Sequence, residues 1–366
     1  MPERGAAPNV HPVIRRVLKA AGALTSPLLP DDYLEMINPL WSTRELRGRI
    51  EKVREETANA ATVLIKPGYR WPGHKPGQYV RIGLDIDGVR HWRAYSLTSD
   101  PLREDGLISI TPKAVDAGKV SPYLVRKAGP GTIVTLSDVE GYFVLSDPPP
   151  DKLVFISAGS GVTPIMSMLR HLDHERSLND AVLVHSAHHA DDVIFGPDLR
   201  DLARRNLNFR LHEQMTREQG RIEPRDLDRL CPDWREREAY LSGPSEMLDA
   251  FSEHWERETD SERLRMERFQ PKLGLGAGAE GEGGKIKFLK SDVEAQSDGK
   301  VPILVAGEDV GLDLPYGCRE GICHTCVCQL RSGRVRDLRN GQVYGQEGEM
   351  IRTCISAPEG PIEIDV

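Results

Sequence analysis

Four of the six cysteines are spaced to hold iron. Cys318, Cys323 and Cys326 form a C-x4-C-x2-C run within YGCREGICHTCVCQ, and Cys354 follows 28 positions after Cys326. This is the ligand spacing of a [2Fe–2S] cluster: two irons take four thiolates, three of them from one loop folded over the cluster. Such a loop turns sharply and aims backbone N–H groups at sulfur, which suits Gly317 and Gly321. Zinc is the competing chemistry, but it favours two C-x2-C pairs or a more evenly spaced Cys/His set. His324, between the ligands, reads as a loop residue. Cys328 reads as a small buried thiol at the start of a strand, and Cys231 as structural.

On these residues, the stretch from about 285 to 366 resembles the plant-type ferredoxin family. The resemblance implies a β-grasp domain with Cys318, Cys323, Cys326 and Cys354 as metal ligands. A second constellation lies far upstream, at Arg93, Tyr95 and Ser96 within RAYSLT. It resembles the R-x-Y-S flavin motif of the ferredoxin–NADP reductase family. A guanidinium can hold a flavin phosphate in a bidentate fork, and a Tyr ring can stack on isoalloxazine. A Ser can hydrogen-bond at N5, where hydride arrives. Gly118, Lys119, Val120 and Ser121 match the family's G-x-x-S, which opens a helix facing the flavin phosphates. Ser121 also reads as an N-cap. Thr111 and Lys113, at the end of an expected strand, are further cofactor contacts. The domain order fits FAD or FMN; the phosphate-side helix after Gly118 favours FAD.

A third constellation is Gly159, Ser160, Gly161, Val162, Thr163 and Pro164. It follows the apolar run KLVFISA and opens an amphipathic helix, IMSMLRHL, which is the context a phosphate-binding loop requires. It lacks the G-x-G-x-x-G fingerprint and resembles the reductase family's G-x-G-x-x-P, whose loop carries NAD(P)H. The resemblance implies cofactor contacts at Gly159, Gly161, Thr163 and Pro164, the last suited to a first helical turn. Ser96, near N5, and Thr163, near the nicotinamide, are the candidate catalytic residues. The next strand, AVLVHSA, ends at Ser186. His188 then stands where NADPH readers of the family place Arg, so NADPH is favoured and NADH remains open. Gly243 and Pro244 match the family's C-G-P segment beside the nicotinamide, with Ser242 replacing the Cys. Phe269 reads either as a cover for the flavin or as a packed aromatic.

These groups need elements to hold them. RGRIEKVREE, ATVLIKP, QYVRIGL, LISITPK and TIVTLSDV alternate in the manner of strands and are separated by turn residues, which predicts a small antiparallel barrel. The expected organisation is multidomain: an N-terminal extension over 1–45, a flavin-binding β-barrel over 46–148 and a parallel α/β nucleotide-binding domain over 149–270. A linker over 271–284 and a ferredoxin domain over 285–366 follow. A length of 366 residues allows two to four domains. The linker has six glycines in fourteen residues, predicting a flexible coil spanning roughly 20 Å. Residues 11–24 (HPVIRRVLKAAGAL) predict a basic amphipathic helix, packed on its own domain or laid on a membrane.

Composition narrows the function. A formal charge of −8 argues against general nucleic-acid binding. No apolar run is long enough to span a bilayer, no signal peptide opens the chain, and the cysteines are no disulfide framework, so a cytoplasmic setting is expected. Together the resemblances imply an NAD(P)H-dependent reductase that splits electron pairs through FAD and a [2Fe–2S] cluster and passes single electrons to a partner. That partner is expected to be a membrane di-iron fatty-acid desaturase or alkane hydroxylase, reached at the inner membrane face. A cytochrome P450 or Rieske oxygenase is the alternative acceptor, and a redox-sensing iron–sulfur flavoprotein the alternative class.

Overall fold

The structure, a computed structural model, describes residues 30–115, 118–259, 261–269, 281–312, 314–316, 321 and 326–366. The amphipathic stretch 11–24, tether residues 271–280, Cys318, Cys323 and His324 lie outside the described residues.

A helix α1 (Pro30–Ile37) and a 3-10 turn lead into β1 (Leu46–Thr57), β2 (Ala60–Pro67), β3 (Tyr79–Ile86), β4 (Val89–Ser96), β5 (Ile108–Ile110), α2 (Val120–Arg126) and β6 (Ile133–Glu140). The strands form an antiparallel sheet in the order β4-β3-β6-β1-β2-β5. A bridge between Leu97 and Ile110 joins its two edges into a barrel. Alternation along β3 puts Val80, Ile82 and Leu84 in the barrel core with Ile50, Val63 and Ile110.

The strand carrying the R-x-Y-S residues was not among the expected segments. β4 pairs with β3 along its whole length through a two-residue turn, Asp87 and Gly88, at φ 52° and 79°. Positive φ at both positions is what a type I′ hairpin demands. LISITPK contracts to the three residues of β5, so Thr111 and Lys113 lie just beyond a strand rather than at its end. Ser121 is not an N-cap. α2 begins at Val120 with Lys119 at the cap position, and the Ser121 Oγ instead accepts the Val115 N–H at 3.2 Å.

β7 (Lys152–Ala158), a 3-10 turn (Gly159–Gly161), α3 (Val162–His174), β8 (Asp180–Ala187), α4 (Gly196–Arg205), β9 (Phe209–Met215), β10 (Glu238–Ser242), α5 (Ser245–Glu258) and β11 (Leu264–Glu267) follow. Their five strands are all parallel, in the order β11-β10-β7-β8-β9. Both faces are covered, which explains the unbroken apolar runs. Phe155, Leu183 and Tyr240 pack with residues of α3 and α4, whereas Ile156, Val184 and Leu241 pack with Trp234 and Trp255. The carboxyl ends of β7, β8 and β10 therefore place Gly159–Gly161, Ser186 and Gly243 along one edge.

The last unit holds β12 (Gly284–Phe288), β13 (Val293–Ser297), α6 (Ile303–Asp309), β14 (Val327–Ser332), β15 (Val335–Asp337), β16 (Val343–Tyr344), β17 (Met350–Arg352), β18 (Ser356–Pro358) and β19 (Ile362–Ile364). A mixed sheet, β13-β12-β19-β14-β17, has β12 and β19 parallel, and α6 packs Ile303 and Leu304 into its core with Phe288. Gly284, read as the end of the tether, already opens β12. A Cβ there would stand 2.1 Å from the Gly360 carbonyl oxygen.

Candidate functional site

A cavity of about 450 Å³ lies between the barrel and the parallel sheet. Tyr95, Ser96, Thr111, Lys113, Thr163 and Phe269 line it, so the structure gathers residues from three separate motifs. Ser96 ends β4 opposite Tyr79 of β3, and Tyr79 also faces the cavity. The Tyr79 hydroxyl donates to Glu140 at 3.1 Å, and Arg81 pairs with the same carboxylate at 2.5 Å. The Tyr95 hydroxyl is buried with no partner among the described residues, and burial holds its pKa above the ordinary range. A buried phenol without a partner is costly unless something fills the site beside it. An aromatic, polar-edged ring system fits that wall.

Two further cavities continue from the first. One, of about 530 Å³, is lined by Gly159, Ser160, Ser186, His188 and Pro244, and shares Lys113 with the first. The other, of about 480 Å³, is lined by Gly161, Gly243, Pro244 and Phe269. The glycines are required by geometry. Gly159 has φ +54°, and a Cβ on Gly161 would stand 2.1 Å from the Ser242 carbonyl oxygen. Thr163 and Pro164 are buried in the first turn of α3, with the Thr163 hydroxyl donating to the Ser160 carbonyl at 2.8 Å. His188 is exposed, its Nδ1 3.2 Å from the Thr216 hydroxyl.

Not every expected residue lines these cavities. Gly118, Lys119, Val120 and Ser121 sit at the start of α2, outside the linings described above, although Val115, bonded to Ser121, lines the first. The Arg93 guanidinium donates to the Trp92 carbonyl at 2.8 Å and stands 5.8 Å from the ring centroid of Tyr316, in the ferredoxin-like unit. In that unit Cys326 and Cys354 are buried with sulfurs 3.1 Å apart, and the Gly321 N–H donates to the Cys354 sulfur at 3.2 Å. Two close, buried sulfurs met by a backbone N–H fit an iron–sulfur cluster.

Family models match all three units: an oxidoreductase FAD-binding domain over 65–144, an oxidoreductase NAD-binding domain over 155–253 and a 2Fe-2S iron-sulfur cluster binding domain over 287–359. The chain is 44% identical to an NADPH oxidoreductase of Mycobacterium tuberculosis, covering 97% of this chain and 93% of that protein. It is 32% identical to a glycine betaine monooxygenase reductase subunit of Pseudomonas aeruginosa, over 80% of this chain and 87% of the relative. The chain belongs to the ferredoxin-reductase family of flavin and iron–sulfur oxidoreductases. Its fold is that of phthalate dioxygenase reductase, which it matches at a TM-score of 0.58 and 19% identity over 88% of this chain and 98% of that one. The reductase thus uses FAD, NAD(P)H and a [2Fe–2S] cluster. No helix among the described residues is long and apolar enough to cross a membrane.

Two residues of the reductase's site escaped the sequence reading. Arg221 lines both the Ser186 cavity and the Gly243 cavity, and pairs with Glu246 at 2.6 Å. Glu267, the last residue of β11, lines the first cavity beside Tyr79. Burial pushes its carboxyl up to about 7.

Proposed function

We propose that this reductase takes electron pairs from NADPH and delivers single electrons to a partner oxygenase. The observation that carries this reading is one cavity lined by Ser96 of the flavin motif and Thr163 of the coenzyme loop, with Tyr316 of the cluster-bearing unit against Arg93. When bound, FAD exchanges the paired electrons of a nicotinamide for the single electrons an iron–sulfur centre carries.

The chain's own residues supply position and charge. Arg93 holds a flavin phosphate by the edge of its guanidinium, and Tyr95 offers a ring face. Lys119, Val120 and Ser121 offer backbone N–H groups at the opening of α2, beside Gly118, whose own N–H donates to the Val115 carbonyl at 2.8 Å. Thr111 and Lys113 close the cavity from the barrel side, and Ser96 hydrogen-bonds at the reacting edge. Gly159, Gly161 and Pro164 shape the coenzyme loop, while Thr163, Gly243 and Pro244 place the nicotinamide. Ser186, His188 and Arg221 meet the 2′-phosphate, which supports NADPH over NADH. Cys318, Cys323, Cys326 and Cys354 hold the cluster. The division into a barrel over 46–148, a nucleotide domain over 149–270 and a ferredoxin domain over 285–366 goes with these roles.

Relatives named as reductase subunits of glycine betaine monooxygenase and of stachydrine N-demethylase support an oxygenase as acceptor. Within that class the basic amphipathic stretch 11–24 favours a membrane di-iron desaturase or alkane hydroxylase. Cys354→Ser tests the electron order. NADPH-driven ferricyanide reduction should stay within twofold of the parent while reduction of an added oxygenase falls to background. Loss of ferricyanide reduction in folded, FAD-loaded protein would refute the order.

A further inference from the structure

One face of α3 is polar and packs against the barrel, running from buried Ser167 to half-exposed His174. Ser167, Arg170, His171 and His174 recur at the i, i+3, i+4 and i+7 spacing of a single helical stripe. The adjoining stripe, with Ile165, Met168, Leu169 and Leu172, is fully buried in the nucleotide-domain core. The polar stripe grips three consecutive residues of the barrel. The Ser167 hydroxyl donates to the Ser99 carbonyl at 2.7 Å, and Arg170 donates to the Thr98 carbonyl at 2.6 Å. His171 and His174 bracket one carboxylate, with Nδ1 atoms 3.2 and 2.5 Å from the two oxygens of Asp100. The hydrogen bond and charge of Asp100 raise the pKa of His174 above the ordinary imidazole value.

The gripped residues are not an arbitrary patch. Thr98, Ser99 and Asp100 begin two residues after Ser96, and Thr98 is bonded through its hydroxyl to Ser109 at 2.8 Å and Thr111 at 3.3 Å. Thr111 lines the first cavity. The other end of α3 is the Gly159–Gly161 turn and Thr163, which lines the same cavity. A closed loop of rigid parts results: cavity, Thr163, α3, Asp100, β4 and back to Ser96. Arg170 extends the grip to Asp198 of α4 at 2.8 Å, which Arg54 of β1 meets at 2.9 Å.

We infer that Asp100, with His171 and His174, is an interdomain clasp that sets the spacing between the coenzyme loop and the flavin-binding strand. These are positioning residues for electron-pair transfer from NADPH. The inference rests on the reading of Ser96 and Thr163 given above. A misplacement of about 1 Å at the reacting centre can cost on the order of a hundredfold in rate without weakening binding. A contact that only stabilised the interface would leave that rate alone.

Asp100→Asn in the full-length, FAD-loaded protein tests the clasp. Expected are a KM for NADPH within twofold of the parent, an about tenfold fall in kcat with ferricyanide and a weaker nicotinamide–flavin charge-transfer absorbance. In the FAD-free protein, amide hydrogen exchange should rise at residues 98–100 and along α3. An unchanged kcat with an unchanged charge-transfer band would overturn the inference, whatever happens to exchange. Should Asp100→Asn fail to retain FAD, His174→Gln decides. This half-exposed position at the end of α3 should show the same split, at about threefold, and an unchanged kcat there would also overturn it. A parent protein that NADPH cannot reduce would instead refute the underlying assignment of the cavity.

Discussion

Arg221 lines the cavity proposed for the adenosine end of the coenzyme, yet nothing in its local sequence marks it. It stands directly after Gly220, thirty-five positions beyond Ser186, and reaches the same cavity only because β9 lies beside β8 in parallel. Sequence patterns report neighbours a few residues apart; this juxtaposition is made by sheet order. The cysteines could be read for the opposite reason, since three of the four expected ligands, Cys318, Cys323 and Cys326, stand close together in the sequence and their spacing is itself the signal. His188, read as the substitute for an Arg, is exposed and engaged with Thr216, so a guanidinium from another loop is the stronger partner for a dianion. Removing a charge-assisted hydrogen bond costs about 1.5–3 kcal/mol. Arg221→Ala should therefore lower kcat/KM for NADPH by about ten- to a hundredfold and leave NADH within twofold. Steady-state kinetics with both coenzymes checks this, and equal losses for the two would place Arg221 elsewhere.

At the scale of elements, the alternating barrel strands and the strand–loop–helix of the coenzyme site were legible because one face or both faces of each strand are buried. β4 was hidden by its own chemistry. VRHWRAYS carries arginines and a histidine where a strand of a barrel usually alternates with aliphatics, and its signal lies instead in the Asp87–Gly88 hairpin turn. β11 was hidden too. It joins the sheet edge beside β10 after a full helix, and so brings Glu267 to the first cavity. One tight element-level constraint is the crossing of the coenzyme turn over β10, where Gly161 leaves no room for a side chain. Gly161→Ala forces a methyl against the Ser242 carbonyl, 2.1 Å from where its Cβ would sit, and overpacking of this kind costs about 1–3 kcal/mol. The variant should melt several degrees lower and lose NADPH affinity at least tenfold while keeping its FAD, because the shifted turn lies on the coenzyme side. Isothermal titration of NADP⁺ and the flavin absorbance separate the two outcomes; loss of FAD with retained NADP⁺ binding would contradict the assignment.

At the scale of the whole molecule, the order of the three units was readable from the order of their motifs, but how the third rests on the first was not. Among the described residues, one contact between them sets a ring against a guanidinium: Tyr316, two residues before the first expected cluster ligand, beneath Arg93 of the flavin motif. A guanidinium can present its edge to a phosphate and its face to an aromatic ring at the same time. FAD binding and seating of the cluster-bearing unit would then share one side chain. A cation–π contact is worth about 0.5–2 kcal/mol, which is about two- to thirtyfold in the population of the seated arrangement. Tyr316→Ala should slow reduction of the cluster by NADPH within that range, followed by stopped-flow bleaching of the iron–sulfur absorbance, and leave ferricyanide reduction unchanged. Tyr316→Phe should behave like the parent, since the contact uses the ring and not the hydroxyl. Equal slowing in the Ala and Phe variants would assign Tyr316 to the fold of the cluster loop, and no slowing in either would mean that the unit is seated on the barrel by other contacts.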